Sequence, residues 1–145
     1  MVHQLFSRAV VLVKEVSNLV LKEGVMPGNT VRMADLKIDG SVLKKAEDCN
    51  FGGGLEDDLN SLDTIVKDGL LDEMKKSVVE AIKYLQSHLP LKDKFLANMR
   101  YISPQYRERS EMPGAIVFLA QELGRFSKEE LANLNVQINL YQVRQ

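Results

Sequence analysis

Apolar residues recur every three or four positions along most of the chain, which is the spacing of one face of an α-helix. The first run predicts a helix from Leu5 to about Glu23, stopped by Gly24 and Pro27-Gly28. Its many valines raise the alternative of a strand, but about twenty residues without a breaker exceed an ordinary strand. The face predicted to be buried carries Leu5, Ala9, Leu12, Val13, Val16, Leu19 and Val20.

The middle of the chain is predicted to hold a loop followed by a long helix. Between Asn29 and Gly54 the pattern weakens into short helical turns, and Gly52-Gly53-Gly54 forms a Gly-rich central loop. From Leu55 to Leu89 the helical period returns, with Gly69 as a point where the helix can kink. The buried face predicted here carries Leu59, Leu62, Ile65, Val66, Leu70, Met74, Val78, Ala81, Ile82 and Leu85.

The last third predicts shorter helices. One runs from Lys92 to about Ile102, and an apolar one contains Ile116 to Leu123. Ser127 and Glu130 have the spacing of a capping box, which predicts the start of a final helix. Since no strand pattern of convincing length occurs, the fold class expected is all-α, an irregular domain of about five helices.

Composition agrees with one folded domain over residues 1–145. With 45% hydrophobic residues, 27% charged residues, nine Gly and four Pro, the chain is neither a disordered tail nor a low-complexity linker. Charged or polar residues interrupt the most apolar segment, 5–21, so no membrane span and no secretory signal are predicted. A single cysteine, Cys49, fits a reducing compartment, and an intracellular location is expected.

The net charge of −1 hides two segments of opposite sign. Residues 55–80 carry eight acids and three lysines, a net charge of −5, whereas residues 81–109 carry six bases and two acids, a net charge of +4. The basic segment could contact nucleic-acid phosphates, form a solvated face, or pair with the acidic helix of the same molecule. The nucleic-acid-binding candidates are Lys92, Lys94, Arg100, Arg107 and Arg109.

No residue pattern indicates catalysis, a metal or a cofactor. The three glycines lead into acids that would repel a phosphate, so they are interpreted as a hinge. The acids Glu56, Asp57, Asp58 and Asp63 lack the spacing of a calcium loop and suit a solvated helix start. His3 and His88 have no partner at ligand spacing, and Cys49 has no nucleophile signature.

A set of short motifs resembles the hAT superfamily of transposases. They are Tyr84-Leu85, Leu89-Pro90-Leu91, Phe95-Leu96, Ile102-Ser103-Pro104 and Arg107, in that order. The segments 5–25, 49–52 and 134–141 are similar to family segments in the same order, so the resemblance covers nearly the whole chain.

The resemblance implies the later part of the helical insertion that interrupts the family's RNase-H-like core. The segments that carry the family's three catalytic acids have no counterpart here, and the tryptophan associated with that insertion is absent because the chain has no Trp. The function expected is therefore a non-catalytic, transposon-derived helical domain with weak non-specific DNA contact, nuclear if the resemblance holds.

Truncation of a larger domain would leave apolar helix faces uncovered, and such faces favour partners. The alternative function is therefore a protein–protein interaction or self-association module. A stand-alone enzyme is a third hypothesis, which no pair of chemically matched residues supports.

Overall fold

The computed structural model describes residues 2–106 and 108–143, and the side chains of His3 and Glu56 lie outside the described part together with the predictions made for them. Within these residues the chain forms α-helices and short 3₁₀ turns and no strand, which confirms the all-α fold class. The helices are α1 (Val2–Val20), α2 (Thr30–Asp35), α3 (Gly53–Asn60), α4 (Thr64–His88), α5 (Lys94–Met99), α6 (Met112–Glu122) and α7 (Lys128–Val143).

The described residues thus contain seven helices where about five were expected. One addition is α2. Asn29 caps the start of this helix, because its side chain accepts hydrogen bonds from the backbone N–H groups of Val31 and Arg32. The other arises because the helix predicted over 55–89 is two helices. Asp63 ends the turn between them and accepts from the backbone N–H of Ile65 at 2.9 Å, which starts α4 anew. Gly69, the expected kink, lies inside α4.

The predicted Gly-rich loop is the beginning of α3. Gly53 and Gly54 are its first residues, and only Gly52 stands outside the helix. The φ of Gly52 is +112°, a backbone conformation that side-chain-bearing residues rarely adopt. The glycines therefore allow the chain to turn directly into the helix.

The described residues fall into two compact units. The N-terminal unit consists of residues 8–92, and the C-terminal unit of residues 2–7 with 93–106 and 108–143. The prediction of a single domain over 1–145 stays a prediction.

Two apolar clusters hold the N-terminal unit together. In one, Val13 of α1, Met33 of α2 and Leu91 are fully buried. In the other, Val20 of α1 packs with Val79 and Ile82 of α4. Each fully buried side chain of this size contributes about 1.5–3 kcal/mol of transfer free energy, so these residues fix how α1, α2 and α4 pack.

An extended segment closes over the end of α1. The backbone N–H of Lys22 donates to the carbonyl of Val42 at 2.9 Å, and that of Lys44 donates to the carbonyl of Val20 at 2.8 Å, around an isolated bridge between Leu21 and Leu43. The Lys44 ammonium also donates to the carbonyl of Asn18 at 2.8 Å. A cation is favourable there because the carboxyl end of a helix carries partial negative charge.

The C-terminal unit has its own apolar cluster. Tyr101 lies against Met112 and Ala115 of α6 and Ile138 of α7. At the start of α7, the backbone N–H of Glu130 donates to the Ser127 hydroxyl at 3.2 Å and that of Ser127 donates to the Glu130 carboxylate at 2.7 Å. The predicted capping box is therefore confirmed.

Candidate functional site

The five basic candidates are distributed over both units, and the structure gives each a different environment. Lys92 belongs to the N-terminal unit, where its ammonium forms an ion pair with Asp35 at the end of α2. Both side chains remain largely exposed. The charge of Lys92 is thus partly satisfied within its own unit, in competition with any phosphate.

Lys94 and Arg109 are the exposed cations of the C-terminal unit that match the prediction best. Lys94 is the first residue of α5, next to Asp93, which caps that helix by accepting from the backbone N–H of Leu96. Arg109 is exposed, and its backbone carbonyl accepts from the side-chain amide of Gln142 at 2.9 Å. Among the described residues, neither cation has a carboxylate within ion-pair distance.

Arg100 is turned toward its own unit. Its guanidinium donates to the Tyr101 hydroxyl at 2.8 Å and lies 4.8 Å from the centre of the Tyr101 ring. Its Nε atom is buried and has no hydrogen-bond partner in the described part of the chain. Tyr101 in turn meets Tyr106 edge to face at 5.7 Å between ring centres. This packing makes Arg100 a poor phosphate ligand, and Arg107 lies outside the described residues.

Glu111 introduces a negative charge beside these arginines. Its own backbone N–H and the Ser110 hydroxyl lower the pKa of the Glu111 carboxyl, and the charges of Arg109 and Arg100 lower it further. The carboxylate is therefore ionised at neutral pH and reduces the positive potential around the two arginines.

Several exposed apolar residues lie at the start of α4 and just before it, within the acidic segment of the sequence. Ile65 is 83% exposed and Val66 is 57% exposed, and Leu62 and Leu70 are also exposed. We call these four residues the α4 apolar face. Within α4, Val66 and Leu70 lie one helical turn apart on the same side and Ile65 directly precedes Val66, whereas Leu62 lies in the turn before the helix.

The orientation of α4 explains why this face points outward. Leu71, Val79 and Ile82 are buried on the other side of the helix. The side-chain amide of Gln86 donates to the carbonyls of Met33 and Leu36 at 2.8 and 3.0 Å, which attaches α4 to the end of α2. Half of the ten residues predicted to be buried here are exposed, namely Leu62, Ile65, Val66, Leu70 and Ala81, whereas Leu59 and Ile82 are buried and Met74, Val78 and Leu85 are half-buried. The signal that could have corrected the prediction is the helical spacing that continues from Leu89, Leu85, Ile82 and Val78 back to Leu71 rather than to Leu70.

Acidic residues are frequent in the sequence around the α4 apolar face, and most of them have no ion-pair partner among the described residues. Asp68 follows Ile65 by three residues, and Glu73 follows Leu70 by three. Glu73 pairs with Lys76, but Asp57, Asp58, Asp63, Asp68 and Asp72 have no basic side chain within 4.0 Å among the described residues. Lys67, the one lysine of residues 55–73, donates instead to the amide oxygen of Asn60 at 2.7 Å.

A second helix also exposes apolar side chains. In α7, Val136, Leu140 and Val143 are exposed, whereas Ile138 is buried. No acidic residue lies between Leu131 and Val143, so this surface lacks the negative rim of the α4 apolar face.

The remaining candidates have ordinary environments. The Cys49 thiol donates to the carbonyl of Lys45 at 3.2 Å, and burial raises its pKa, which keeps it protonated and unreactive at neutral pH. It lines a cavity of about 230 Å³ in the N-terminal unit. The ring of His88 stacks on that of Tyr84 with 3.9 Å between centres.

Three further findings concern ligands, membranes and relatives. Within residues 2–106 and 108–143, no three or more His, Cys, Asp or Glu side chains are grouped so that they could hold a metal ion. In the same part of the chain, no helix has the length and apolar character needed to cross a membrane. No protein-family model, curated protein or solved structure matches the chain. The resemblance to hAT transposases, which rests on the sequence motifs quoted for it, stays a prediction.

Proposed function

We propose that the chain is a non-catalytic, transposon-derived helical domain that acts by binding a protein partner. The observation that carries this proposal is the exposure of the α4 apolar face. Single exposed apolar residues are common on protein surfaces, but Ile65, Val66 and Leu70 are three exposed apolar residues within two turns of one helix, and clusters of exposed apolar residues mark interaction sites.

The origin and the absence of catalysis belong to the same proposal. The origin rests on the order of the hAT-like motifs from Tyr84 to Arg107, and the absence of catalysis rests on residues 1–145 themselves, whose sequence pairs no nucleophile with a base and no two acids at metal-binding spacing. On this proposal the protein acts in the nucleus, and self-association is the special case in which the partner is a second copy.

Photo-crosslinking tests the binding function. The variant Ile65→p-benzoylphenylalanine, expressed in cells and irradiated, is expected to give a discrete cross-linked product, because its benzophenone would be covered by the partner. The matched control, Glu23→p-benzoylphenylalanine, places the same group at an exposed polar position of the same unit and is expected to give none. The same yield at both positions, or no product at Ile65, would contradict the proposal.

A second candidate function is non-specific DNA contact. It is favoured by the exposure of Lys94 and Arg109 without carboxylate partners among the described residues. Since phosphate neutralisation by lysine and arginine supplies non-specific affinity, these two residues would carry most of the binding. Lys92 would contribute less because of its ion pair with Asp35.

A further inference from the structure

Along α4, the α4 apolar face extends from Ile65 to Leu70, about 7.5 Å at about 1.5 Å per residue, which is more than one helical turn. Exposed aliphatic side chains on one helix can pack as ridges into the grooves of another helix. The long buried side of α4, with Leu71, Val79 and Ile82, keeps the face in place.

The charges around the face indicate that its partner is basic. Residues 55–73 carry seven acids and one lysine, a net charge of −6. Asp68 and Asp72 are exposed and have no basic neighbour within ion-pair distance among the described residues. A partner with lysine or arginine beside its apolar residues would neutralise these charges, and electrostatic complementarity of this kind speeds association and selects the partner.

The same charges argue against other occupants. Phosphates of nucleic acids and anionic lipid surfaces would be repelled. A two-fold pair of copies packed through this face would bring the acidic rim of one copy against that of the other, since such an interface uses the same patch twice. The α4 apolar face therefore fits the surface of another protein better than the same face of a second copy.

We propose that the α4 apolar face binds an amphipathic helix of a partner protein whose apolar residues are flanked by lysine or arginine. This inference rests on the proposed function of protein binding and specifies its partner. Leu62, Ile65, Val66 and Leu70 supply the apolar contact, and the unpaired acids Asp68 and Asp72 supply the charge contact.

The test is titration of the full chain with a synthetic peptide of about 15 residues that has leucine at helical spacing and lysine at the flanking positions. Calorimetry is expected to show binding that weakens as salt is added. The double variant Ile65→Ser, Val66→Ser is expected to weaken binding at least about tenfold, because two aliphatic side chains leave the interface. The double variant Asp68→Asn, Asp72→Asn is expected to weaken it about fivefold and to flatten the salt dependence.

Matched controls distinguish binding at the α4 apolar face from non-specific binding of the peptide elsewhere on the chain. Val136→Ser, Leu140→Ser removes two similarly exposed aliphatic residues from α7, and Glu122→Gln, Glu129→Gln removes two exposed acids of the C-terminal unit. Both are expected to leave binding unchanged. Circular dichroism checks that every variant keeps its helix content.

Three results would overturn the inference. The first is that the lysine-flanked peptide does not bind. The second is that a glutamate-flanked peptide with the same leucines binds equally well. The third is that the chain forms a dimer, and that Ile65→Ser, Val66→Ser dissociates this dimer. The second and third results would leave the proposed function intact, since a partner would still cover the face. Cross-linking at Ile65 decides the proposed function separately.

Discussion

The side chain of Ser17 is fully buried on α1, and its hydroxyl has no hydrogen-bond partner in the described part of the chain. A buried polar group without a partner costs about 1–3 kcal/mol. From the sequence, Ser17 is a polar residue next to the predicted apolar stripe of the first helix, and its complete burial depends on how α1 packs within the N-terminal unit.

Ser17→Ala is expected to raise the free energy of unfolding by about 1 kcal/mol, because it removes an unsatisfied hydroxyl and improves helix propensity. Urea denaturation followed by circular dichroism measures the change. Ser77→Ala is the control, since the Ser77 hydroxyl is exposed and already donates to the carbonyl of Glu73 at 2.9 Å. A loss of stability in Ser17→Ala would show that the hydroxyl is satisfied.

Among the helices, the sequence predicts the start of α7 correctly, whereas for α4 it predicts part of the buried side incorrectly. The capping box is formed by residues three apart, so Ser127 and Glu130 meet as soon as the first turn forms. Which side of α4 is buried depends on distant residues, such as the carbonyls of Met33 and Leu36 that Gln86 binds. Local spacing therefore predicted the cap and the burial of Ile82, and could not decide whether the first turns of α4 bury Ile65, Val66 and Leu70 or Leu71.

The cap predicts a pH dependence of α7. The Ser127 backbone N–H, first, and the Ser127 hydroxyl hold the pKa of Glu130 below its usual value of 4.5. Because the pKa is lowered by folding, this carboxylate stabilises the protein above its unfolded-state pKa, and the stabilisation is lost as the pH falls through the folded-state pKa.

An NMR titration of the Glu130 side chain is expected to give a pKa below 4.5, and Ser127→Ala is expected to move it toward that value. The same substitution is expected to destabilise the protein by about 1 kcal/mol at neutral pH, through loss of the cap. Glu111 serves as an internal control, since its lowered pKa depends on its own backbone and Ser110 and should not respond. An unchanged Glu130 titration in Ser127→Ala would contradict this account.

For the whole molecule, the net charge of −1 conceals surfaces of different sign on different elements. Lys94 and Arg109 are exposed cations of the C-terminal unit, and the acids of residues 55–73 belong to the N-terminal unit. Any DNA affinity of the intact chain is therefore expected to be weak and dominated by few contacts.

If two phosphates are neutralised, the logarithm of the DNA association constant should fall with the logarithm of salt concentration with a slope of about −2. Between about 50 and 200 mM salt the affinity should then fall about tenfold, as a gel-shift titration would measure. Lys94→Ala, Arg109→Ala should abolish this binding, whereas the control Lys14→Ala, Lys22→Ala should retain it. A DNA affinity that does not change with salt concentration would contradict the proposed DNA contact.

A separate test concerns catalysis. Magnesium-dependent cleavage of a transposon-end DNA by the chain alone would overturn the proposal that the chain is non-catalytic.

Sequence by itself determined the all-α class, the existence of most helices, the capping box at Ser127 and the opposite charge of residues 55–80 and 81–109, because these depend on neighbours a few positions apart. Tertiary structure alone decided that the α4 apolar face points outward and that Lys92 pairs with Asp35. The physical reason is that burial and ion pairing depend on which elements meet in space. Of the apolar residues in the first turns of α4, only those for which the rest of the unit supplies a partner, such as Leu71, become buried.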